Sequence, residues 1–350
     1  MNKYIAIIEG DGIGPEIMKQ ALKVLNAITK KYGHKFYYKK FLVGGASIDK
    51  ENNPITDKTI NDCIKSDSVL FGCVGDNKYN SYPTGMRPED GLLKLRKKMN
   101  LYCNIRPIIC FSGIDNSPIK KKYINKSDFL IYRELTGGIY FGKKGRSENY
   151  AYDYCSYSKK EIERIAKIAF ENSLVRKKKL TLVDKSNVLE TSKLWRKVVH
   201  EVSLDYPNVK LNFLYIDNAT IQIITRPNQF DVILTDNMFG DILSDESSII
   251  TGSLGLLPSA SIGENHKSMF EPVHGSYPEA KGKNIANPIG CILSVGMMLN
   301  HFGMYKEKNL LYQAVKNSIL CKVSTEDINK SNPSNTEDVG NYITKYILNH

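Results

Sequence analysis

What this sequence lacks narrows its class quickly. No stretch approaches the roughly 20 uninterrupted apolar residues that a membrane-spanning helix needs. The first residues, MNKYIAIIEGDG, pass from a short apolar strand straight into a glycine turn with no small-residue cleavage site behind it. They do not read as a signal peptide, and a cytoplasmic location with no membrane partner is expected. Seven cysteines, at 63, 73, 103, 110, 155, 291 and 321, make an odd set without a C-x-x-C. That argues against a disulfide or zinc framework and for small core residues. Internal repeats, low-complexity blocks and long linkers are also missing.

Two phosphate-binding signatures are incomplete. Gly10-x-Gly12-x-x-Pro15 lacks the third glycine of the dinucleotide fingerprint, and Pro15 suits the first position of a helix, so the segment reads as a tight strand-to-helix turn. The stretch from Gly137 to Lys144 nearly spells a Walker loop, but Lys144 stands where Ser or Thr would ligate magnesium. The Ser-, Asn- and Tyr-rich residues up to Tyr157 read as a β-hairpin arm instead of the helix an ATPase requires. Charge is unbalanced, with 49 Lys and Arg against 37 Asp and Glu. The lysines fall in small groups such as Lys120–Lys122 and Lys177–Lys179, not in one stripe interleaved with aromatics. A lysine-rich solvated surface is therefore expected, with no nucleic-acid partner, although a basic nucleic-acid binder remains the different-class alternative.

What is present is an ordinary globular composition over 350 residues, long enough for one large or two ordinary domains. Strand-like and helix-like segments alternate. Tyr4–Glu9, Phe36–Val43, Ser68–Cys73, Leu101–Ile109, Asp128–Leu135, Leu180–Lys185, Lys210–Asp217 and Phe230–Asp236 read as strands. Ile17, Ala21, Leu25 and Ile28 fall at helical spacing, with Gly33 as a stop. Ser158 and Glu161 form a capping box ahead of another helix, Leu194, Val198 and Val202 mark a third, and Ile289 to Met298 reads as a buried one. Such alternation predicts an α/β fold with a largely parallel, twisted sheet flanked by helices. Ligands of such sheets sit beyond the C-terminal strand ends, where Lys185 and Asp217 are expected.

The chemistry concentrates in Asp236-Asn-Met-Phe-Gly-Asp241-Ile-Leu-Ser-Asp245. A four-residue spacing aims both carboxylates of Asp241 and Asp245 the same way on a helix, and such a pair repels itself unless a cation intervenes. Oxygen-only ligands suit Mg²⁺ or Mn²⁺, and Asp217 offers a third carboxylate. An isolated D-x-x-x-D is most often a solvated helix face, but this one is flanked by Ile242, Leu243, Ile249 and Ile250. Arg106 and Arg133 sit in apolar, strand-like surroundings, where an unpaired guanidinium is costly, and Arg96 follows Leu92, Leu93 and Leu95. Each alone reads as structural, with Glu134 an available partner for Arg133. Together, three forks and three carboxylates suit a small polycarboxylate held beside a divalent metal. Tyr140, following a glycine pair in a strand, and Lys185, at a strand end, complete the set.

These segments closely resemble the isocitrate/isopropylmalate dehydrogenase family of metal-dependent β-decarboxylating dehydrogenases. The resemblance runs from GDGIGPE at 10–16 to AKGKNIANP at 280–288. Its most specific pieces are RELTGGIYFG (133–142), VDKSNVLETSKLWR (183–196), YIDNAT (215–220), NMFGDILSDE (237–246) and EPVHGS (271–276). It implies a large discontinuous cofactor-binding domain of residues 1–100 and 252–350, and a smaller domain of 101–251 carrying dimerisation elements and an arm at about 136–157. The cofactor site it implies is not of Rossmann type. It further implies that Arg96, Arg106 and Arg133 hold substrate carboxylates. Asp241 and Asp245 bind one Mg²⁺ or Mn²⁺ per active site, with Asp217 contributed across a homodimer interface, where it also meets the substrate. Lys185, also from across the interface, corresponds to the general base and Tyr140 to the general acid. NAD is expected along Gly75–Pro88 and Gly275–Asn287, touching Gly75, Asp76, His274, Gly275, Ser276, Glu279 and Asn287.

Ahead of Arg96, isocitrate dehydrogenases resemble S-x-N-x-x-x-R, whereas this chain has Glu89, Leu92 and Leu93, an apolar wall for an isopropyl group. The expected substrate is 3-isopropylmalate, in leucine biosynthesis, with isocitrate, homoisocitrate and tartrate as alternatives. Glu279 stands where the family usually has Asp, and its carboxylate favours NAD over NADP. Two departures stand out: Gly75-Asp-Asn-Lys-Tyr79 replaces a GGPKW-like segment, and the region after Lys322 matches poorly.

Overall fold

A computed structural model describes residues 1–114 and 117–350. Among them, strands follow in chain order: β1 (Asn2–Gly10), β2 (Lys35–Phe41), β3 (Ser68–Cys73), β4 (Cys103–Ile109), β5 (Asp128–Glu134), β6 (Lys144–Arg146), β7 (Ala151–Asp153), β8 (Lys179–Asp184), β9 (Lys210–Tyr215), β10 (Val232–Thr235), β11 (Pro258–Ile262) and β12 (Ser268–Pro272). The chain divides into two compact units, one of Met1–Leu101, Phe111–Ser117 and Thr251–His350, the other of Tyr102–Cys110 and Pro118–Ile250.

In the first unit the strand order is β2-β1-β3-β12-β11. β1 runs parallel to β2 and β3, β12 runs parallel to β3, and only β11 is antiparallel to its neighbour. Every residue of β3 is buried, as expected of a central parallel strand covered on both faces. The Gly14–Tyr32 helix buries Ile17, Ala21, Leu25 and Ile28 and ends on Gly33 at φ 69°, the left-handed conformation that glycine adopts freely. The Ile289–His301 helix is buried over nearly its whole circumference, in keeping with its unbroken apolar sequence.

In the second unit the order is β4-β5-β10-β8-β9, parallel except for the β4–β5 pair. The Lys159–Leu174 helix opens on the Ser158–Glu161 capping box, and Val198 and Val202 are buried on the Glu190–Ser203 helix. β6 and β7 form the antiparallel hairpin expected before Tyr157. Each unit is thus α/β, with a largely parallel sheet flanked by helices. Among the described residues, no helix is long and apolar enough to cross a membrane.

Three sequence expectations need correction. Asp217 does not end a strand: β9 stops at Tyr215, and Asp217 lies in the first turn of the Ile216–Thr225 helix, where a carboxylate suits the positive helix end. Tyr140 is not in a strand but in a turn after β5, because Gly138 takes φ 75°. β11 and β12 escaped notice because each is five residues long and rich in buried serine or proline, so no polar alternation marks them.

Candidate active site

β4 and β5 set two cations on one sheet face. In their antiparallel register Arg133 stands opposite Asn104, and Arg106 lies two residues further along, so pleating sends both guanidiniums the same way. They are 3% and 6% exposed, which obliges each to find partners inside the protein. The partners come from the Asn237–Thr251 helix, which starts directly after β10 with Asp236 accepting the Phe239 N–H at 2.8 Å as its cap. One helical face presents Asp241, Ser244 and Asp245. Arg133 Nη1 donates to Asp241 Oδ1 at 2.5 Å, while Arg106 Nη2 lies 3.5 Å from the same oxygen. Arg106 also reaches Ser244 Oγ at 2.5 Å, Asp245 Oδ1 at 3.4 Å and, through Nε, Asn104 Oδ1 at 2.8 Å. Tyr140 donates its hydroxyl to Asp241 Oδ2 at 3.0 Å. Asp241 is therefore the acid shared by both arginines and the tyrosine.

The turn that carries Tyr140 is held from below. Glu134, fully buried, accepts from the Thr136 and Gly137 N–H groups at 3.0 and 2.7 Å and pairs with Arg164 at 3.2 Å. It is not the partner of Arg133 that sequence proximity offered, because adjacent strand residues point to opposite faces. Tyr157 lies against the glycine pair so closely that a Cβ on Gly138 would meet its hydroxyl oxygen at 2.1 Å. Only glycine fits there.

Charge and burial tune these groups. Burial pushes the Tyr140 hydroxyl above its usual range, and the negative Asp241 adds to this against opposition from Arg133 and Arg106, so Tyr140 keeps its proton at neutral pH. Asp245 is also pushed up, by desolvation first, with Arg106 opposing and Asp241 adding to the rise. Asp236 is raised to about 6 by burial, although the Phe239 N–H opposes this. A carboxyl raised on folding stabilises the fold fully below its unfolded value and loses that contribution as pH rises through the folded value. Asp236→Asn keeps an oxygen for the helix cap and removes the ionisation. Its melting temperature is expected to exceed that of the unmodified protein by a few degrees at pH 7.5 and to converge with it near pH 4. A pH-independent difference would refute this assignment of the cost.

Lys185 and Asp217 make a separate pair, Nζ to Oδ1 at 2.6 Å, which holds Asp217 below the usual carboxylate range. Lys185 immediately follows β8, and neither residue joins Asp241 and Asp245: among the described residues, no three His, Cys, Asp or Glu side chains group as metal ligands.

The first unit contains the remaining expected residues. Arg96, on the Pro88–Lys98 helix, pairs with buried Glu271 at 2.7 Å, and its Nε is buried without a hydrogen-bond partner. Leu92 packs on the core beside Leu95 and Met269, Leu93 is half-buried, and Glu89 is exposed with its carboxylate beside Gly75. A cavity of about 530 Å³ is lined by three of the residues proposed for the cofactor, His274, Gly275 and Asn287, and also by Tyr277, Ile285 and Asp327. Gly75, Asp76, Ser276 and Glu279 are not among its lining residues. Ser276 Oγ donates to the Gly75 carbonyl at 2.6 Å, Asp76 caps the short turn at Asn77–Tyr79, and Glu279 is exposed. Sequence reasoning missed Asp11, whose carboxylate accepts the N–H groups of Gly45, Ala46 and Gly75 at 2.8 to 3.0 Å and so ties three loops together. Its position inside the GDG turn was the available signal.

A half-buried acid serving two guanidiniums and a phenol on an α/β frame is an arrangement suited to acid–base chemistry on an anionic small molecule. The model of the family described as isocitrate/isopropylmalate dehydrogenase matches residues 4–343, extending into the segment after Lys322. The 3-isopropylmalate dehydrogenase of Oceanobacillus iheyensis is 48% identical over 331 residues, covering 94% of this chain and 90% of that one. That of Aquifex aeolicus is 47% identical over 336 residues, covering 94% and 92%. Among solved structures, the isocitrate dehydrogenase of Methylococcus capsulatus has a TM-score of 0.90 at 31% identity and covers 99% of both chains. The chain belongs to the isocitrate/isopropylmalate dehydrogenase family and is thereby an oxidoreductase.

Proposed function

We propose that this chain oxidatively decarboxylates (2R,3S)-3-isopropylmalate to 4-methyl-2-oxopentanoate while reducing NAD, as a cytoplasmic homodimer serving leucine biosynthesis. The observation that carries the reading is the sharing of Asp241 by Arg106, Arg133 and Tyr140 in a chain 48% identical to a 3-isopropylmalate dehydrogenase.

The residues fit both absent groups. Asp241 and Asp245 offer carboxylate oxygens alone, the donor chemistry of a hard divalent cation, and Asp241 raises the cost of charging Asp245. One chain supplies only two such ligands, which leaves positions for substrate oxygens, water and Asp217 of a second copy. In the first unit, the acceptor carbonyl of Gly275 places the His274 proton on Nδ1, at 2.9 Å, and leaves buried Nε2 as a lone pair without a partner. Desolvation lowers the His274 pKa and keeps the ring neutral, suited to a donor group of a nucleotide in the 530 Å³ cavity. When bound, such a cation would supply Lewis-acid polarisation of substrate oxygens, and NAD would supply the hydride acceptor.

The chain's own groups do the rest. Arg96, Arg106 and Arg133 hold the substrate carboxylates, and the Nε of Arg96 is a buried donor without a partner. Lys185 of a second copy takes the proton from the 2-hydroxyl. Loss of CO₂ from the 3-carboxylate leaves an enolate, and Tyr140, protonated at neutral pH, delivers a proton to its C3. Exposed Ile221 and Ile242, on the Ile216–Thr225 and Asn237–Thr251 helices, support a dimer through this unit. NADH formation from 3-isopropylmalate, isocitrate, homoisocitrate and tartrate with Mg²⁺ or Mn²⁺ tests the reading. Turnover confined to one of the other three acids would refute the substrate.

Structural likeness alone favours no member of the family, since the isocitrate dehydrogenase comparison stands at 31% identity. The apolar pair Leu92 and Leu93 supports isopropylmalate. Leu92→Ala is expected to lower kcat/KM for isopropylmalate about 10- to 100-fold and for malate by much less, since it removes only apolar contact. Because Leu92 also packs on the core, the melting temperature is expected to fall as well. Equal kinetic losses for the two acids would remove the basis for the substrate assignment.

A further inference from the structure

Asn237 has no exposed surface and sits at the first position of the helix that bears Asp241 and Asp245. It grips Arg133 on two sides. Arg133 Nε donates to its backbone carbonyl at 2.8 Å and to its Oδ1 at 3.1 Å, and Arg133 Nη2 donates to the same Oδ1 at 2.8 Å. Its amide Nδ2 donates to the Gly137 carbonyl at 3.1 Å, in the turn that carries Tyr140. Its own N–H is received by the Tyr157 hydroxyl at 3.1 Å, beneath the same turn.

A guanidinium is a planar fork whose usefulness to a carboxylate depends on the plane it presents. Arg133 is fixed at Nε and Nη2 by Asn237 and at Nη1 by Asp241, so its plane cannot rotate. An amide suits this duty better than a carboxylate. It supplies an acceptor toward Arg133 and a donor toward Gly137 without adding charge that would compete with the ligand of Arg133. Tyr140 lies with its ring centroid 5.7 Å from the guanidinium carbon, so the turn and the fork it faces are tied through one side chain.

We infer that Asn237 is a positioning residue for the proposed reaction: it sets the plane of Arg133 for a substrate carboxylate and locks that fork to the turn holding Tyr140. The inference rests on the proposed reading for the identity of the substrate but not for the role itself.

The test is a double-mutant cycle of Asn237→Ala with Arg133→Lys, measured with whichever of the four acids the unmodified enzyme oxidises. Asn237→Ala is expected to raise KM for the acid about tenfold or more and to lower kcat, with KM for NAD within about twofold. In the Arg133→Lys background, where the fork is already lost, most of this effect is expected to vanish. Trp195, the single tryptophan, packs edge-on against Tyr157 at 5.4 Å, so unchanged emission shows that the packing under Asn237 survives. If Asn237→Ala does not fold, the isosteric Asn237→Asp enters the same cycle, with the same loss of effect expected beside Arg133→Lys. Additive losses, equal changes in KM for the acid and NAD, or no change in kinetics would each overturn the role. Turnover of an acid other than isopropylmalate refutes the substrate assignment alone, and turnover of none of the four overturns both.

Discussion

Asp241→Asn is expected to lower kcat by about three orders of magnitude or more at saturating Mg²⁺ or Mn²⁺, with the melting temperature within a few degrees of the unmodified protein. Asparagine keeps the size of the side chain and an oxygen for one donor. It loses the charge that faces Arg133 at 2.5 Å and Arg106 at 3.5 Å, and one of the two oxygens serving Arg133 and Tyr140. Lewis-acid stabilisation in such reactions is worth several kcal/mol, and each 1.36 kcal/mol is a factor of about ten in rate. The fold is expected to survive because the Asp241 side chain is 34% exposed and the helix keeps its Asp236 cap. NADH formation, with and without EDTA, measures the first effect, and a melting curve measures the second. Activity within tenfold of the unmodified enzyme would mean that Asp241 is not the centre of the site.

Tyr140→Phe is expected to lower kcat about 10²- to 10⁴-fold, the usual contribution of a positioned proton donor, with KM for the acid changed only a few-fold. The ring remains to pack beside Arg133, and only the hydroxyl that donates to Asp241 at 3.0 Å is lost. Because burial and the Asp241 charge raise its pKa, Tyr140 is protonated throughout the neutral range. Any alkaline decline in rate caused by its deprotonation should therefore lie above pH 10. Stopped-flow measurement of NADH alongside CO₂ release separates oxidation from the later proton delivery. A variant with kcat within threefold of the unmodified enzyme would leave Tyr140 without a catalytic role.

Much of the arrangement around Asp241 was legible in the sequence. The four-residue spacing of Asp241 and Asp245 predicts a shared helical face, and the Asn237–Thr251 helix provides it. Arg106 and Arg133 in apolar strand contexts imply buried cations, and both are buried. Other features could not be seen. Neighbouring Glu134 was an open candidate for Arg133, yet it turns to the opposite face and holds Thr136, Gly137 and Arg164. Asn237, Ser244 and Glu271 carry no spacing signal, because an amide, a hydroxyl or a lone carboxylate is informative only once its partner is known.

Periodicity, turn chemistry and the ordered family motifs were enough to establish the α/β class, the acidic helix face and membership of the dehydrogenase family, since each is written in residues a few positions apart or in local order. Which acid meets which arginine was settled by folding alone. Arg133 and Asp241 are 108 positions apart, and their meeting depends on β5 lying next to β10 and on the register that turns Arg106 to the same side. Strand order and register are long-range properties, and no pattern confined to one segment encodes them.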